Sequence, residues 1–212
     1  MPPILYFHGF GSSPESAKVV ALKQMLEPEL EVNAPDMNAP SFERLDFEAM
    51  VQRAIDEAHR LPPRAIVGSS VGSLVALELV RRGVHAPLVL IAPAVGVAER
   101  WPSRLPAGDP VEVFNHARNA NARIHRAFFD RLALQRPEAD APAVPVTIVM
   151  GRNDESVPFR FVRGVWETWT ESQKLVPGSK FIEIAGGDHS LVAHAELIAR
   201  EIRAAVAASS RA

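Results

Sequence analysis

Hydrophobic residues gather along this chain in short runs that do not alternate: Ile4-Leu5-Tyr6-Phe7, Ala65-Ile66-Val67, Leu88-Val89-Leu90-Ile91 and Val146-Thr147-Ile148-Val149-Met150. An unbroken run of this length suits a parallel strand covered on both faces. Phe181-Ile182-Glu183-Ile184 alternates instead, which places it nearer a sheet edge, and Val32-Asn33-Ala34-Pro35 reads as a weak strand. Between these runs the period lengthens. Glu15 to Leu26 repeats Ala17, Val20, Ala21 and Leu26 at near-helical spacing, and Arg44 to Arg60 lines one face with Phe47, Met50, Val51, Ala54 and Ala58. Further helices are predicted over about Leu74 to Arg82, closed by Gly83, over Phe159 to Gln173 and over Leu191 to Ala208. From Val71 to Val80 nearly every residue except Glu78 is apolar or small, so that helix is expected to be buried all round. Strands alternating with helices predict an α/β fold: a mostly parallel sheet with helices on both faces.

One stretch breaks the alternation. Between Pro93 and Val144 lie about fifty residues without a clear buried strand, rich in Pro, Asn, Arg and Ala. A structureless loop of that length does not belong in a compact domain. With helical character over Asn115 to Leu134, residues 94–143 are expected to form a helical cap over the sheet's carboxyl edge, inserted into a single domain spanning 1–212. The cap's Trp101, Phe114, Phe128 and Phe129 could pack it onto the body, and Phe128 and Phe129 are expected to wall a pocket as well. Its arginines (Arg100, Arg104, Arg118, Arg123, Arg126, Arg131, Arg136) suggest an anion site. Glu99, Asp109, Glu112, Asp130, Glu138 and Asp140 nearly balance them, which favours a solvated surface.

Composition narrows the chemistry. A net charge of -2 gives no electrostatic case for nucleic acid or an anionic membrane. The chain has no cysteine, which removes disulfides, a thiol nucleophile and thiolate metal ligands. No run is long enough for a membrane span, and Met1-Pro2-Pro3 before a short apolar run lacks the features of a signal peptide, so a cytoplasmic location is expected. Gly9 and Gly11 do not continue into a dinucleotide fingerprint, because Pro14 stands at the third glycine position. No His-Glu-x-x-His or comparable ligand cluster appears, and no cofactor is expected.

The strongest chemical signal lies where the second apolar run meets the buried helix. Gly68-Ser69-Ser70-Val71-Gly72 matches Gly-x-Ser-x-Gly, in which a tight strand-to-helix turn pushes the central serine outward and leaves no room for a Cβ two residues either side. A serine hydroxyl is a weak nucleophile without an adjacent base, usually a histidine oriented by a carboxylate. Such partners should stand just past the ends of later strands, at the carboxyl edge where function collects. Asp154 follows the Val146–Met150 run, and His189 follows the Phe181–Ile184 run. Glu155 beside Asp154 is an alternative acid, and His189 beside Asp188 could simply begin a helix. Two backbone N–H groups should face the developing negative oxygen: Val71, after the serine, and Phe10, in the loop His8-Gly9-Phe10-Gly11 after the first run.

His8-Gly9-Phe10, the elbow, Asp154 and His189 together resemble an α/β-hydrolase over essentially the whole chain. The closer likeness is to the small bacterial esterases of the YqiA/YcfP type, which carry His-Gly-Phe, then Ser-Ser-Pro-x-Ser-Ala-Lys, here Ser12 to Lys18, with Ile-Val-Gly-Ser-Ser at the elbow and Gly-Asp-Glu at the acid loop. The sequence departs at Ser73, where a second glycine is frequent, at Asn153, before the acid, and in its cap. The resemblance implies a hydrolase of carboxylic esters, with a small-molecule ester or thioester substrate, and favours Asp154 over Glu155. An acyl-thioesterase would use the same residues, whereas a non-catalytic binding protein of this fold would require none of them.

Overall fold

The unbroken apolar runs become neighbours in one sheet. The computed structural model describes residues 1–96, 100–101 and 104–209; part of the expected cap, including Glu99, lies outside these ranges. Strands β1 (Pro3–Phe7), β2 (Glu31–Asn33), β3 (Ala65–Ser69), β4 (Leu88–Ile91), β5 (Val111–Asn115), β6 (Ala120–Ile124), β7 (Val146–Gly151) and β8 (Lys180–Ile184) alternate with helices α1 (Ala17–Leu26), α2 (Phe47–Arg60), α3 (Val71–Arg81), α4 (Ala127–Leu132), α5 (Phe159–Glu171) and α6 (Ala195–Ser209). The main sheet runs β2-β1-β3-β4-β7-β8, and every pairing in it is parallel. Every residue of β3, β4 and β7 is buried. The alternating strand β8 is one edge, and the short β2 is the other.

From β1 the chain crosses outward to β2 and then returns past β1 to β3. Right-handed crossovers put α1 on one face of the sheet and α2, α3 and α5 on the other. In keeping with this, α2 packs beside α3, and α6 returns after β8 to pack beside α1. The reversal makes the carboxyl ends of β1 and β3 a switch point, where departing loops diverge and leave a crevice.

Helix α3 is buried from Val71 through Val80. Its Glu78 is only 2% exposed, and its carboxylate accepts from Arg81 Nε at 2.7 Å and Arg82 Nε at 2.8 Å. Burial pushes this carboxyl up, but the two guanidiniums outweigh that and hold it below the ordinary carboxylate range. Arg82 also pairs with Glu48 of α2. Helix α2 starts at Asp46, whose side chain accepts the Ala49 N–H at 3.0 Å.

The inserted segment departs from the helical cap read from composition. Strands β5 and β6 form an antiparallel hairpin, and within Asn115 to Leu134 only α4 is an α-helix. Asn119 takes the left-handed turn conformation at φ 49°, and Asn115 Oδ1 accepts the Arg118 N–H at 2.9 Å. β6 reads Ala-Asn-Ala-Arg-Ile, whose alanines and arginine favour helix locally. Pairing with β5 overrides that preference, a tertiary effect that a residue-by-residue reading misses. Val111, Ile124, Phe128, Phe129 and Leu132 join the main hydrophobic core. Among the described residues no helix is long and apolar enough to cross a membrane.

The elbow leaves little tolerance. A Cβ on Gly72 would lie 2.1 Å from the Phe7 carbonyl oxygen, and one on Gly68 would lie 2.6 Å from the Gly72 oxygen. Gly164, within α5, has nothing within 4 Å of such a Cβ. Gly72→Ala is therefore expected to lower unfolding free energy by about 3 kcal/mol or to prevent folding, as overpacking against rigid backbone does. Gly164→Ala is expected to raise it by about 0.5–1 kcal/mol, the glycine penalty of a helix interior. Urea denaturation of both variants checks the contrast.

Candidate active site

Ser70 ends β3 and opens α3 with φ 53° and ψ -121°, a strained backbone for a non-glycine residue. Three main-chain bonds hold it there. Its N–H donates to Ile91 O at 2.9 Å, and its carbonyl accepts from Ser73 N at 3.0 Å and Ala94 N at 3.1 Å. Ser73 is fully buried, and its hydroxyl donates to Gly68 O at 2.8 Å.

The structure brings Ser70, His189 and Asp154 into one hydrogen-bonded path. Ser70 Oγ lies 3.1 Å from His189 Nε2, and His189 Nδ1 lies 2.7 Å from Asp154 Oδ2. The other carboxylate oxygen, Asp154 Oδ1, accepts from Ser156 N at 2.9 Å and Val157 N at 2.7 Å. These bonds fix the carboxylate's orientation. Glu155 is exposed, whereas the Asp154 side chain is wholly buried. Asp188 accepts from Leu191 N at 2.8 Å and so caps the turn after His189. Capping and the approach of His189 to Ser70 coexist in neighbouring residues.

The loops that carry the acid and the histidine are locked together. Asn153 N donates to Gly187 O and Arg152 N to Ile184 O, each at 2.9 Å. A Cβ on Gly151 would sit 2.2 Å from Gly187 O. This crossing was not read from the sequence; its only signal was glycine at the exit of each strand, in Gly151 and Gly186-Gly187.

On the other side, the loop after β1 is pinned by His8, which is 2% exposed. Its ring lies 2.9 Å from Gly9 O through Nδ1 and accepts the Met37 N–H at 2.9 Å through Nε2. That pairing requires the neutral Nδ1–H form. The neighbouring Phe10 is the hub of an aromatic cluster. Its ring stacks on Phe128 at 5.9 Å and meets Phe42, Trp101 and Phe129 at 5.6, 5.6 and 5.8 Å. The hairpin joins this loop directly, Ala117 N donating to Gly11 O at 2.9 Å.

A cleft of about 840 Å³ opens over Ser70 and His189, lined in part by Phe10 and Trp101. Phe128 and Phe129, expected to wall a pocket, lie behind these two rings, buried to 2% and 3% exposure. They attach the insertion to the body. The insertion's arginines form no common anion site among the described contacts: Arg118 pairs with Glu43 and Arg131 with Asp46, both on the body. Arg100 donates to Ser156 O at 2.6 Å and Val95 O at 3.2 Å. Among the described residues no group of three His, Cys, Asp or Glu side chains is placed to hold a metal ion.

This sheet, elbow and edge define an α/β-hydrolase fold. The chain belongs to the uncharacterised protein family UPF0227, which it matches over residues 3–202; this is the YqiA-type family that its motifs resemble. No curated protein matches it significantly in sequence. Among solved structures it is similar to Est1E from Butyrivibrio proteoclasticus, with ferulic acid bound, at TM-score 0.76 and 20% identity, covering 98% of this chain and 90% of that one. It is also similar to a monoacylglycerol lipase from Paleococcus ferrophilus (TM-score 0.74, 16% identity, 98% and 94% covered). A third is the mouse α/β hydrolase domain-containing protein 10 (TM-score 0.73, 19% identity, 96% and 88% covered). At these identities the likeness is one of fold.

Burial, the largest influence, lowers the His8 pKa below its ordinary 6.5, although Gly9 O and Asp36 pull it upward. The folded protein therefore holds this ring neutral at a pH where the unfolded chain binds a proton. Stability from His8 is complete above the unfolded value and falls as pH drops below about 6.5, with a slope of up to about 1.4 kcal/mol per pH unit, levelling off below the folded pKa. His8→Gln, which cannot titrate, is expected to flatten this part of the profile; urea midpoints measured from pH 7 to pH 5 test it.

Proposed function

We propose that this protein is a serine hydrolase that cleaves carboxylic esters through an acyl-enzyme. The observation that carries the reading is the path from Ser70 through His189 to a buried, doubly hydrogen-bonded Asp154. With Nδ1–H directed at Asp154, His189 Nε2 is free to accept the serine proton. Ser70 Oγ then attacks the ester carbonyl. Asp154 keeps the imidazole in the required tautomer and stabilises the imidazolium that forms. The N–H groups of Phe10 and Val71 receive the oxyanion of the tetrahedral intermediate. His189 returns its proton to the departing alcohol, and water repeats the sequence to release the acid. The site lies at the carboxyl edge beside the β1/β3 switch point, where parallel sheets collect function. Similarity of fold to a monoacylglycerol lipase supports this reaction class.

A fluorophosphonate probe followed by intact-mass measurement tests the proposal, with one adduct expected on the wild type and none on Ser70→Ala. Esterase activity of Ser70→Ala is expected to fall by about 10³-fold or more while Ser69→Ala loses far less, since the interacting groups act as a unit. Asp154→Asn should lower kcat by about 10⁴-fold through the wrong histidine tautomer. Glu155→Gln should change it little, and the reverse ranking would move the acid to Glu155.

The position of Trp101 gives a second expectation. Its ring lines the cleft and meets Phe129 edge-on at 5.1 Å. Trp101→Ala should shift the preferred acyl length among p-nitrophenyl esters, each methylene being worth about 1–3 kcal/mol in such a pocket. Phe128→Ala, behind the wall, should lower the thermal midpoint more than it alters that profile.

A further inference from the structure

Two chemically different groups line the cleft. The rings of Phe10 and Trp101 meet at 5.6 Å, and Lys18 meets Ser69 at 2.8 Å, with Ser12 and Ser16 adding further hydroxyls to the lining. Lys18 stands in the first turn of α1, a half-buried side chain on the cleft. Its Nζ donates to Ser69 Oγ at 2.8 Å, on the residue immediately before the elbow serine. That is its one hydrogen bond among the described residues, and it leaves two of three N–H donors without a protein acceptor. No carboxylate lies within ion-pair distance of it among the described residues. The first turn of α1 contributes no acidic residue, and Ser16 provides no side-chain cap there. The phenol of Tyr6, which also lines the cleft, is buried; burial pushes its pKa up, with Ser69 acting in the opposite direction, so it stays protonated and supplies no counter-charge.

A lysine with only a structural task normally sends its head group to water or pairs it with an acid. This one faces the cleft beside a neutral serine hydroxyl, with no acid partner among the described residues. Desolvation, the largest influence, lowers the ammonium to a pKa of about 8, while the more distant charges of Asp154 and Asp188 act in the opposite direction. At neutral pH it therefore remains mostly a cation. Arg100, which also lines the cleft, has its guanidinium engaged by the Ser156 and Val95 carbonyls.

We propose that Lys18 binds a carboxylate on the substrate, so that the preferred ester joins an apolar group, held against Phe10 and Trp101, to a carboxylate-bearing group on the other side of the scissile bond. A single ammonium with Asp154 and Asp188 in its field suits a monoanion better than a phosphate dianion, which calls for several cations or a guanidinium fork. The inference rests on the reading of Ser70 as nucleophile and adds the class of substrate.

Two pairs of nearly isosteric esters place the charge on either side of the bond. Mono-p-nitrophenyl glutarate against p-nitrophenyl valerate tests the acid side, and 4-acetoxybenzoate against p-tolyl acetate tests the alcohol side. In one pair the wild type should prefer the carboxylate member by tenfold or more in kcat/KM. Lys18→Met should lower that ratio at least tenfold, and Lys18→Arg, which keeps the charge, should retain part of it. The wild-type ratio needs no variant, and Lys18→Gln replaces Lys18→Met if circular dichroism shows the latter unfolded. No preference in either pair, or variants that lower both members in equal proportion as loss of support for Ser69 would, overturns the proposal. A wild type that hydrolyses none of the esters and takes no fluorophosphonate adduct is a different result, which refutes the hydrolase reading itself.

Discussion

The geometry of the site depends on a serine held where serines rarely sit. The left-handed backbone of Ser70, φ 53°, costs of order 1–3 kcal/mol and persists only if its surroundings over-determine it. They do so through rigid elements. β3 is buried along its whole length before the turn, and α3 is buried for nearly all its length after it. Gly72 brings the start of α3 so close to β1 that the Phe7 carbonyl occupies the place of a side chain. The strain is thus borne by strand and helix packing on both sides, and Ser70 Oγ projects from the edge without a flexible loop to place it.

A second close approach sets the other end of the hydrogen-bonded path. Ser70 and His189 are 119 residues apart, and His189 and Asp154 are separated by 35. Neither distance could be fixed by local structure. The sheet register does part of the task by pairing Gly151 with Ile184, which aligns the exits of β7 and β8. The bonds from Arg152 and Asn153 to Ile184 and Gly187 do the rest, because they carry the alignment past the ends of the strands. A site built this way is held by the fold itself, with His189 Nδ1 2.7 Å from Asp154 Oδ2.

How much of this could be read from the sequence follows from how local each cause is. Unbroken apolar runs became the central strands, because burial on both faces is written into consecutive residues. The alternating run became an edge for the same reason. The hairpin β5–β6 was not legible, since Ala120 to Ile124 is a strand by virtue of its partner and not of its own composition. Asp154 and Glu155 could not be separated by spacing. What separates them is the turn after β7, which aims the Ser156 and Val157 N–H groups at one carboxylate and leaves the other in solvent. Lys18 was visible only as part of a motif, because its interest lies in what is missing around it.

The arrangement also divides the cleft between independent parts of the chain. The elbow and the two loops after β7 and β8 belong to the sheet, whose glycine contacts tolerate almost no change. The aromatic wall belongs partly to the insertion, which touches the body through Phe10, the Ala117–Gly11 bond and ion pairs such as Arg131–Asp46. Exposed ion pairs contribute little, whereas aromatic contacts are worth about 0.5–1.5 kcal/mol each beyond burial. The ring cluster, more than the charges, therefore decides how the insertion sits. Because Phe10 is both the hub of that cluster and the residue after Gly9 in the β1 loop, repacking the insertion must disturb the backbone facing Ser70. The seating of the insertion and the placement of the Phe10 N–H are coupled through one ring, while Lys18 reaches the cleft from α1, outside that ring cluster.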